Sequence, residues 1–162
     1  MIGAGFPVAA YGGRREIMEL LAPLGPVYQA GTLSGNPVGM AAGIAALDLL
    51  SRGDAYRELE VIGQLLHNGF EAAANRAGVQ CVVNRVGSMI TPFIGVEKVA
   101  NYQDAKAADV ATFARIHRAW REGGVLWPPS QFETAFLSAV HTHDQIGLAV
   151  QGFVRALSVS VS

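Results

Sequence analysis

The sequence has one cysteine, Cys81, so it carries no disulfide framework and no cysteine-based zinc cluster. It has two lysines, Lys98 and Lys106, and charged residues make up only 15% of the chain. With a formal net charge of -1 and no basic cluster, it lacks the electrostatic footprint of a nucleic-acid-binding protein, so no nucleic acid is expected as a partner. Pro, Asn, Asp and Arg interrupt every apolar stretch before about 18 residues accumulate, so no membrane contact is expected. The opening residues do not read as a signal peptide. Together these absences favour a cytoplasmic setting. What is abundant is apolar: 51% of residues are hydrophobic and the mean hydropathy is +0.29. That exceeds what an ordinary soluble domain carries, so part of the apolar surface is expected to face a partner. At 162 residues the chain is long enough for a real core, and size alone does not call for a second domain.

"MIGAGFPVAAYGG" opens as a strand-like apolar segment that starts mid-pattern, reading as the end of something rather than a beginning. Gly3 and Gly5 form a G-x-G. No strand precedes it and Phe6-Pro7 follows where a dinucleotide fingerprint needs a helix, so these glycines are read as a close backbone approach or a bulge. "RREIMELL" (14–21) predicts a short helix ended by Pro23 and the Gly25-Pro26 turn. In "YQAGTLSGNP" Asn36 suits the cap of a helix and Pro37 its first position, so a helix is predicted from there to about residue 51. Thr32, Ser34 and Gly35 then lie in the approach to a helix N-terminus, where free N–H groups favour an anion such as phosphate. The same residues also make an ordinary turn, with Ser34 as a second capping group. The residues alone leave both readings open.

Beyond a break at 52–54, Leu59, Ile62, Leu65, Leu66, Phe70 and Ala73 mark one face of a long amphipathic helix closed by Gly78. "VQCVVNRV" and "SMITPFIGV" read as two strands about a turn at 85–87. A helix is predicted over 104–123, a third strand over 134–142, and a last helix capped by Thr142 with Gln145 and running to about Leu157, with "SVSVS" frayed. The order predicts an α+β arrangement with helices on one face of a small, largely antiparallel sheet.

His141, His143 and Asp144 have the types of metal ligands, but they sit where a strand hands over to a capped helix and no second ligand cluster exists, so no metal is expected. His67 and His117 fall on helical patterns as packed or solvated groups, and Cys81 reads as a small core residue. Arg85, near the inter-strand turn, is placed to meet a carboxylate or to be solvated. Glu133 follows a stiff "PPSQF" approach at the entrance to a strand, a position that lines a pocket or lies in solvent.

"GAGFPVAAYGGRREIMELLAPLGPVYQAGTLSGNPVGMAAG" and, much later, "PPSQFETAFLSAVHT" carry a resemblance. Over nearly the whole chain these residues resemble the carboxyl-terminal part of the aminomutase branch of the class III, fold-type I aminotransferase-like family, which depends on pyridoxal phosphate. The resemblance implies an α/β fold in two parts: 1–53 as the edge of a large cofactor-binding domain with an interface helix, and 54–162 as a small α+β domain. It implies pyridoxal 5'-phosphate, or its pyridoxamine form, as cofactor, with Gly31 and Thr32 reaching the phosphate held by the neighbouring subunit of a homodimer. It also implies Glu133 as a carboxylate beside the substrate, glutamate-1-semialdehyde, which such enzymes convert to 5-aminolevulinate for tetrapyrrole synthesis. Other class III aminotransferases have an aromatic and a glycine where this chain has Leu33 and Ser34, and lack "PPSQFE". By the same resemblance the Schiff-base lysine falls one position before Met1, and neither Lys98 nor Lys106 matches it. The expectation is therefore a chain inactive alone, with another aminotransferase fragment or a non-catalytic α+β dimerisation module as alternatives.

Overall fold

The structure, a computed structural model, describes residues 2–160. Two units follow one another along the chain, Met1–Gly53 and Asp54–Ser162.

In the first unit the opening residues form turns rather than the expected strand. The Phe6 N–H donates to the Gly3 carbonyl at 2.8 Å, and Ala4 and Gly5 take positive φ of 49° and 97°. Such left-handed backbone reverses the chain where a strand needs extension. Gly3 is required sterically, since a Cβ there would lie 2.3 Å from the Phe6 carbonyl oxygen. Helix α1 (Arg15–Met18) is a single turn of the predicted 14–21 helix. Its continuation is diverted because the Val27 N–H donates to the Leu20 carbonyl and the Ala22 N–H to the Val27 carbonyl, both at 2.9 Å. Helix α2 (Pro37–Ser51) starts as the sequence predicts: Asn36 Oδ1 accepts the Gly39 N–H at 2.7 Å, with Pro37 at the first position. A Cβ on Gly39 would come within 2.9 Å of Val8 Cγ2, so this small residue lets the opening turns close onto the helix.

The second unit comprises α3 (Asp54–Ala77), β1 (Cys81–Val86), β2 (Met89–Ile94), α4 (Tyr102–Lys106), α5 (Val110–Glu122), β3 (Ala135–Phe136) and α6 (His143–Ser160). The sheet runs β1-β2-β3, antiparallel throughout, with Cys81 opposite Ile94 and Ile90 opposite Ala135. One core joins α3, α5, α6 and a sheet face through Leu66, Phe70, Ile90, Ile116, Phe153 and Leu157. Trp120 lies at its centre, stacked on Trp127 at 4.8 Å and Phe153 at 5.2 Å, and its Nε1 donates to the Ala149 carbonyl. The capping box is reciprocal: the Thr142 N–H donates to Gln145 Oε1 at 2.9 Å and the Gln145 N–H to Thr142 Oγ1 at 3.3 Å.

Several expectations are corrected. Leu65 is 46% exposed, while Ile62, Leu66, Phe70 and Ala73 of the predicted face are buried, Leu59 packs against the core, and Gly63 and Ala74 join the stripe. The helix predicted over 104–123 is two helices, because Asn101 caps one and Asp109 a second. The Asp109 N–H is tied to the Ile94 carbonyl at 2.7 Å, holding that residue out of the helix. The sheet is covered on both faces rather than one, since Phe93 packs with Ala105 and Ala108 on the side away from the main core. The third strand keeps two of its nine expected residues, Ala135 and Phe136. Helix α6 continues to Ser160, so the fraying expected over 158–162 is absent from the backbone at 158–160, while 161–162 lie outside the described residues. Among the described residues no helix is long and apolar enough to cross a membrane.

Candidate functional site

In the first unit, Gly31 and Thr32 stand on a turn closed by the Ser34 N–H donating to the Gly31 carbonyl at 3.0 Å. A Cβ on Gly31 would sit 2.9 Å from Ser34 Oγ, a contact that rotation of the serine hydroxyl relieves. Gly35 then takes a φ of 66°, aiming the chain into Asn36 and the start of α2. Both Gly31 and Thr32 are exposed, and neither the hydroxyl nor the N–H of Thr32 has a partner among the described residues. They line a concavity of about 890 Å³ whose walls also include Val8, Tyr11, Gln29 and Met40, with no acidic side chain among them. Free donors near a helix N-terminus, unopposed by carboxylates, are what an anion requires. Sequence reasoning missed Tyr11 and Gln29 as wall residues, since no local pattern marks either as facing the turn at 31–35.

In the second unit, Glu133 sits on a turn just before β3. The Glu133 N–H donates to the Ser130 carbonyl and the Phe132 N–H to Ser130 Oγ, both at 3.1 Å. The Phe132 ring lies 6.3 Å from that of Tyr102, and Thr91 Oγ1 donates to Thr134 Oγ1 at 3.2 Å. Glu133 is exposed and forms no ion pair among the described residues. Thr32 and Glu133 therefore belong to different units, each held by its own turn.

Arg85, His117 and His141 have structural partners. Arg85 donates to Glu60 Oε1 at 2.6 Å, Gln64 Oε1 at 2.8 Å and the Gly87 carbonyl at 2.8 Å, which fastens the hairpin turn to α3. That contact holds the Glu60 carboxyl below its usual range and pushes Arg85 up. Burial, aided by the nearby Glu71 charge, raises the Cys81 thiol to about 12, leaving no thiolate nucleophile at neutral pH. His141 Nδ1 accepts the Ser138 N–H at 3.1 Å, and His117 Nε2 meets the Trp127 carbonyl at 3.0 Å. Among the described residues no group of three or more His, Cys, Asp or Glu is placed to hold a metal.

The class III aminotransferase family model matches residues 1–157, and the chain belongs to that family. It is similar to the glutamate-1-semialdehyde 2,1-aminomutase of Thermus thermophilus, 49% identical over 97% of this chain and 37% of the relative. The enzyme of the same name from Desulfatibacillum aliphaticivorans is 48% identical, again over 97% and 37%. Among solved structures, an omega-transaminase from Sphaerobacter thermophilus superposes with a TM-score of 0.83 at 29% identity, over 100% of this chain and 37% of that one. A transaminase solved with PLP bound gives 0.81 at 26% identity, over 99% and 37%. The fold is thus that of the fold-type I transaminases, and the chain spans 37% of the length of these relatives.

Proposed function

We propose that this chain is the carboxyl-terminal part of a glutamate-1-semialdehyde 2,1-aminomutase, an isomerase that moves an amino group within its substrate to give 5-aminolevulinate. The observation that carries the reading is the 49% identity to an enzyme of that name over 97% of the chain. "TLSGNP" and "PPSQFE" support it over the other class III aminotransferases. Residues 1–53 supply the edge of the large domain and 54–162 the small domain.

The first-unit concavity fits the phosphate of pyridoxal 5'-phosphate: the exposed Thr32 hydroxyl and N–H are free to donate, and no carboxylate opposes them. When bound, that cofactor withdraws electrons and so stabilises negative charge beside the amine-bearing carbon. Thr32 and Gly31 hold its phosphate end, reaching it across a homodimer interface to which the exposed apolar residues of α2 contribute. Glu133, unpaired and exposed, accepts hydrogen bonds from the substrate's amino group and orients it. A carboxylate there also favours the protonated amine, while a neutral amide would not.

The test combines this chain with the amino-terminal part of the Thermus thermophilus relative and follows 5-aminolevulinate formed from glutamate-1-semialdehyde without any added 2-oxo acid. Formation is expected. Thr32→Ala should weaken cofactor affinity by about tenfold, the value of one hydrogen bond to a charged group. Turnover only with an added amino acceptor would instead indicate another aminotransferase. No turnover and no cofactor binding would indicate a dimerisation module.

A further inference from the structure

The register of β2 with β3 defines which residues would pair if the ladder ran on. Beyond Ile90 opposite Ala135, it would set Thr91 opposite Thr134, Pro92 opposite Glu133 and Ile94 opposite Gln131. The pairs that exchange backbone hydrogen bonds alternate along such a ladder. The Leu137 N–H donates to the Ser88 carbonyl, so Ile90, Pro92 and Ile94 are the β2 positions whose backbone points toward β3. Pro92 has no N–H, and there the ladder stops. The Glu133 N–H turns back to Ser130 instead, and the Glu133 side chain is left exposed.

The ladder's end is nevertheless satisfied. Gln131 is 1% exposed, and its side-chain Oε1 accepts the Ile94 N–H at 3.2 Å. It occupies the place where a continued strand would have put its backbone carbonyl. Because Ile94 donates, the oxygen of the amide faces it, and Nε2 is buried without a partner. An amide buried with one half unsatisfied is costly, so packing alone would favour a methionine or leucine of similar size.

We infer that Gln131 is a positioning residue: its side-chain carbonyl replaces the missing rung of the sheet and pegs the Glu133 turn to the end of β2. This rests on the reading of Glu133 as the substrate-facing carboxylate. Ser130 shapes the turn from within, and Thr134 and Phe132 hold it on either side, but among the described residues Gln131 alone ties it to the buried backbone of β2. An oxygen acceptor is therefore needed at this position, and the amide nitrogen is not.

Two variants separate acceptor from volume. Gln131→Met keeps length and removes the acceptor; Gln131→Glu, whose carboxyl is kept protonated by burial, keeps the acceptor and puts a hydroxyl in place of the unsatisfied nitrogen. In the chain itself, amide exchange followed by NMR should show Ile94 and Glu133 exchanging about tenfold faster in Gln131→Met. Ile116 should be unchanged, and Gln131→Glu should exchange like the parent. In the reconstituted holoenzyme, Gln131→Met should raise KM for glutamate-1-semialdehyde by about tenfold while the bound-cofactor spectrum stays as it was, and Gln131→Glu should restore KM. Unaltered Ile94 exchange in Gln131→Met, or an unaltered KM, overturns the inference. So does equal impairment in Gln131→Glu, which would make size or neutrality the requirement. Glu133→Gln keeps the two readings apart. If it leaves turnover intact, the substrate role of Glu133 falls whatever Gln131 does. If it abolishes turnover while Gln131→Met changes neither exchange nor KM, only the peg falls.

Discussion

The two units differ in what they bury. Every buried hydrophobic side chain among the described residues lies in the second unit, from Ile62 in α3 to Leu157 in α6. The residues buried in the first unit are Gly3, Gly39 and Gly43, while Leu24, Tyr28, Ile44 and Leu49 stand 79%, 83%, 62% and 65% exposed. Helix α2 is apolar all round, the pattern of a helix covered on every side. The second unit thus contains the source of its own stability. The first unit has local order from caps and turns, and apolar surface that something beyond itself must cover.

Separation of the units is the harshest way to break that comparison. Residues 54–162 alone should keep their helical circular dichroism and unfold in one cooperative urea transition, because the aromatic core is complete within them. Residues 1–53 alone should lose most of the α2 signal, since isolated helices of about 15 residues are marginal in water. A cooperative transition from 1–53 would show that its glycine contacts suffice.

Single substitutions probe the same contrast less severely. Trp120→Ala removes a side chain with no exposure that is stacked on Trp127 and Phe153. It should cost about 3–5 kcal/mol in urea unfolding, enough to unfold a marginal domain. Ile44→Ser on α2 should change the stability of the chain by less than about 0.5 kcal/mol, because an exposed residue has no packing to lose. It should lower association of the chain, measured by sedimentation, if α2 forms part of an interface. A large loss of stability from Ile44→Ser would mean that the first unit has a core of its own.

The elements that could be read from the sequence are those whose cause is local. Asn36 and Pro37 announce α2, Thr142 and Gln145 announce α6, and Gly78 closes α3 from within a few residues. The departures have remote causes. Asp109 interrupts an otherwise continuous apolar period because its N–H is bound to Ile94 of a strand. The third strand ends at Phe136 because that residue pairs with Met89, where β2 begins and the chain turns back into β1, some forty residues away in sequence, and nothing within "TAFLSAVHT" records that. The site divides in the same way. The exposed Thr32 turn follows from neighbouring glycines and the cap. Tyr11 and Gln29 enter the concavity only through folding of the first unit. Glu133 was recognisable as a strand-end carboxylate, but its peg at Gln131 depends on a register that only the paired strands define.

The smallest contrast lies in the two helix caps. Asp109 caps α5 in the second unit, accepting the N–H groups of Ala111 and Thr112 at 3.0 and 2.9 Å, while Asn36 caps α2 in the first. Only the carboxylate titrates. Hydrogen bonds from the Thr112 side chain and then its backbone are the main reason the Asp109 carboxyl lies below its ordinary 3.8. A group depressed in the folded state binds its proton more readily when unfolded, so its stabilisation is present above the unfolded value and is lost as pH falls through the folded one. Glu60, depressed by Arg85 from its ordinary 4.5, acts in the same direction in the same unit. Urea midpoints of the second unit should therefore fall between about pH 5 and pH 2. Asp109→Asn, which keeps a cap but cannot ionise, should flatten that fall, whereas Asp109→Ala should cost about 1 kcal/mol at neutral pH and flatten it as well. Asn36→Asp makes the reciprocal change: it should introduce acid sensitivity into α2 helicity, where the parent has none from its cap. An identical acid response in the parent and Asp109→Asn would remove the cap from the account and leave the Glu60 and Arg85 pair as its source, which Glu60→Gln then tests directly.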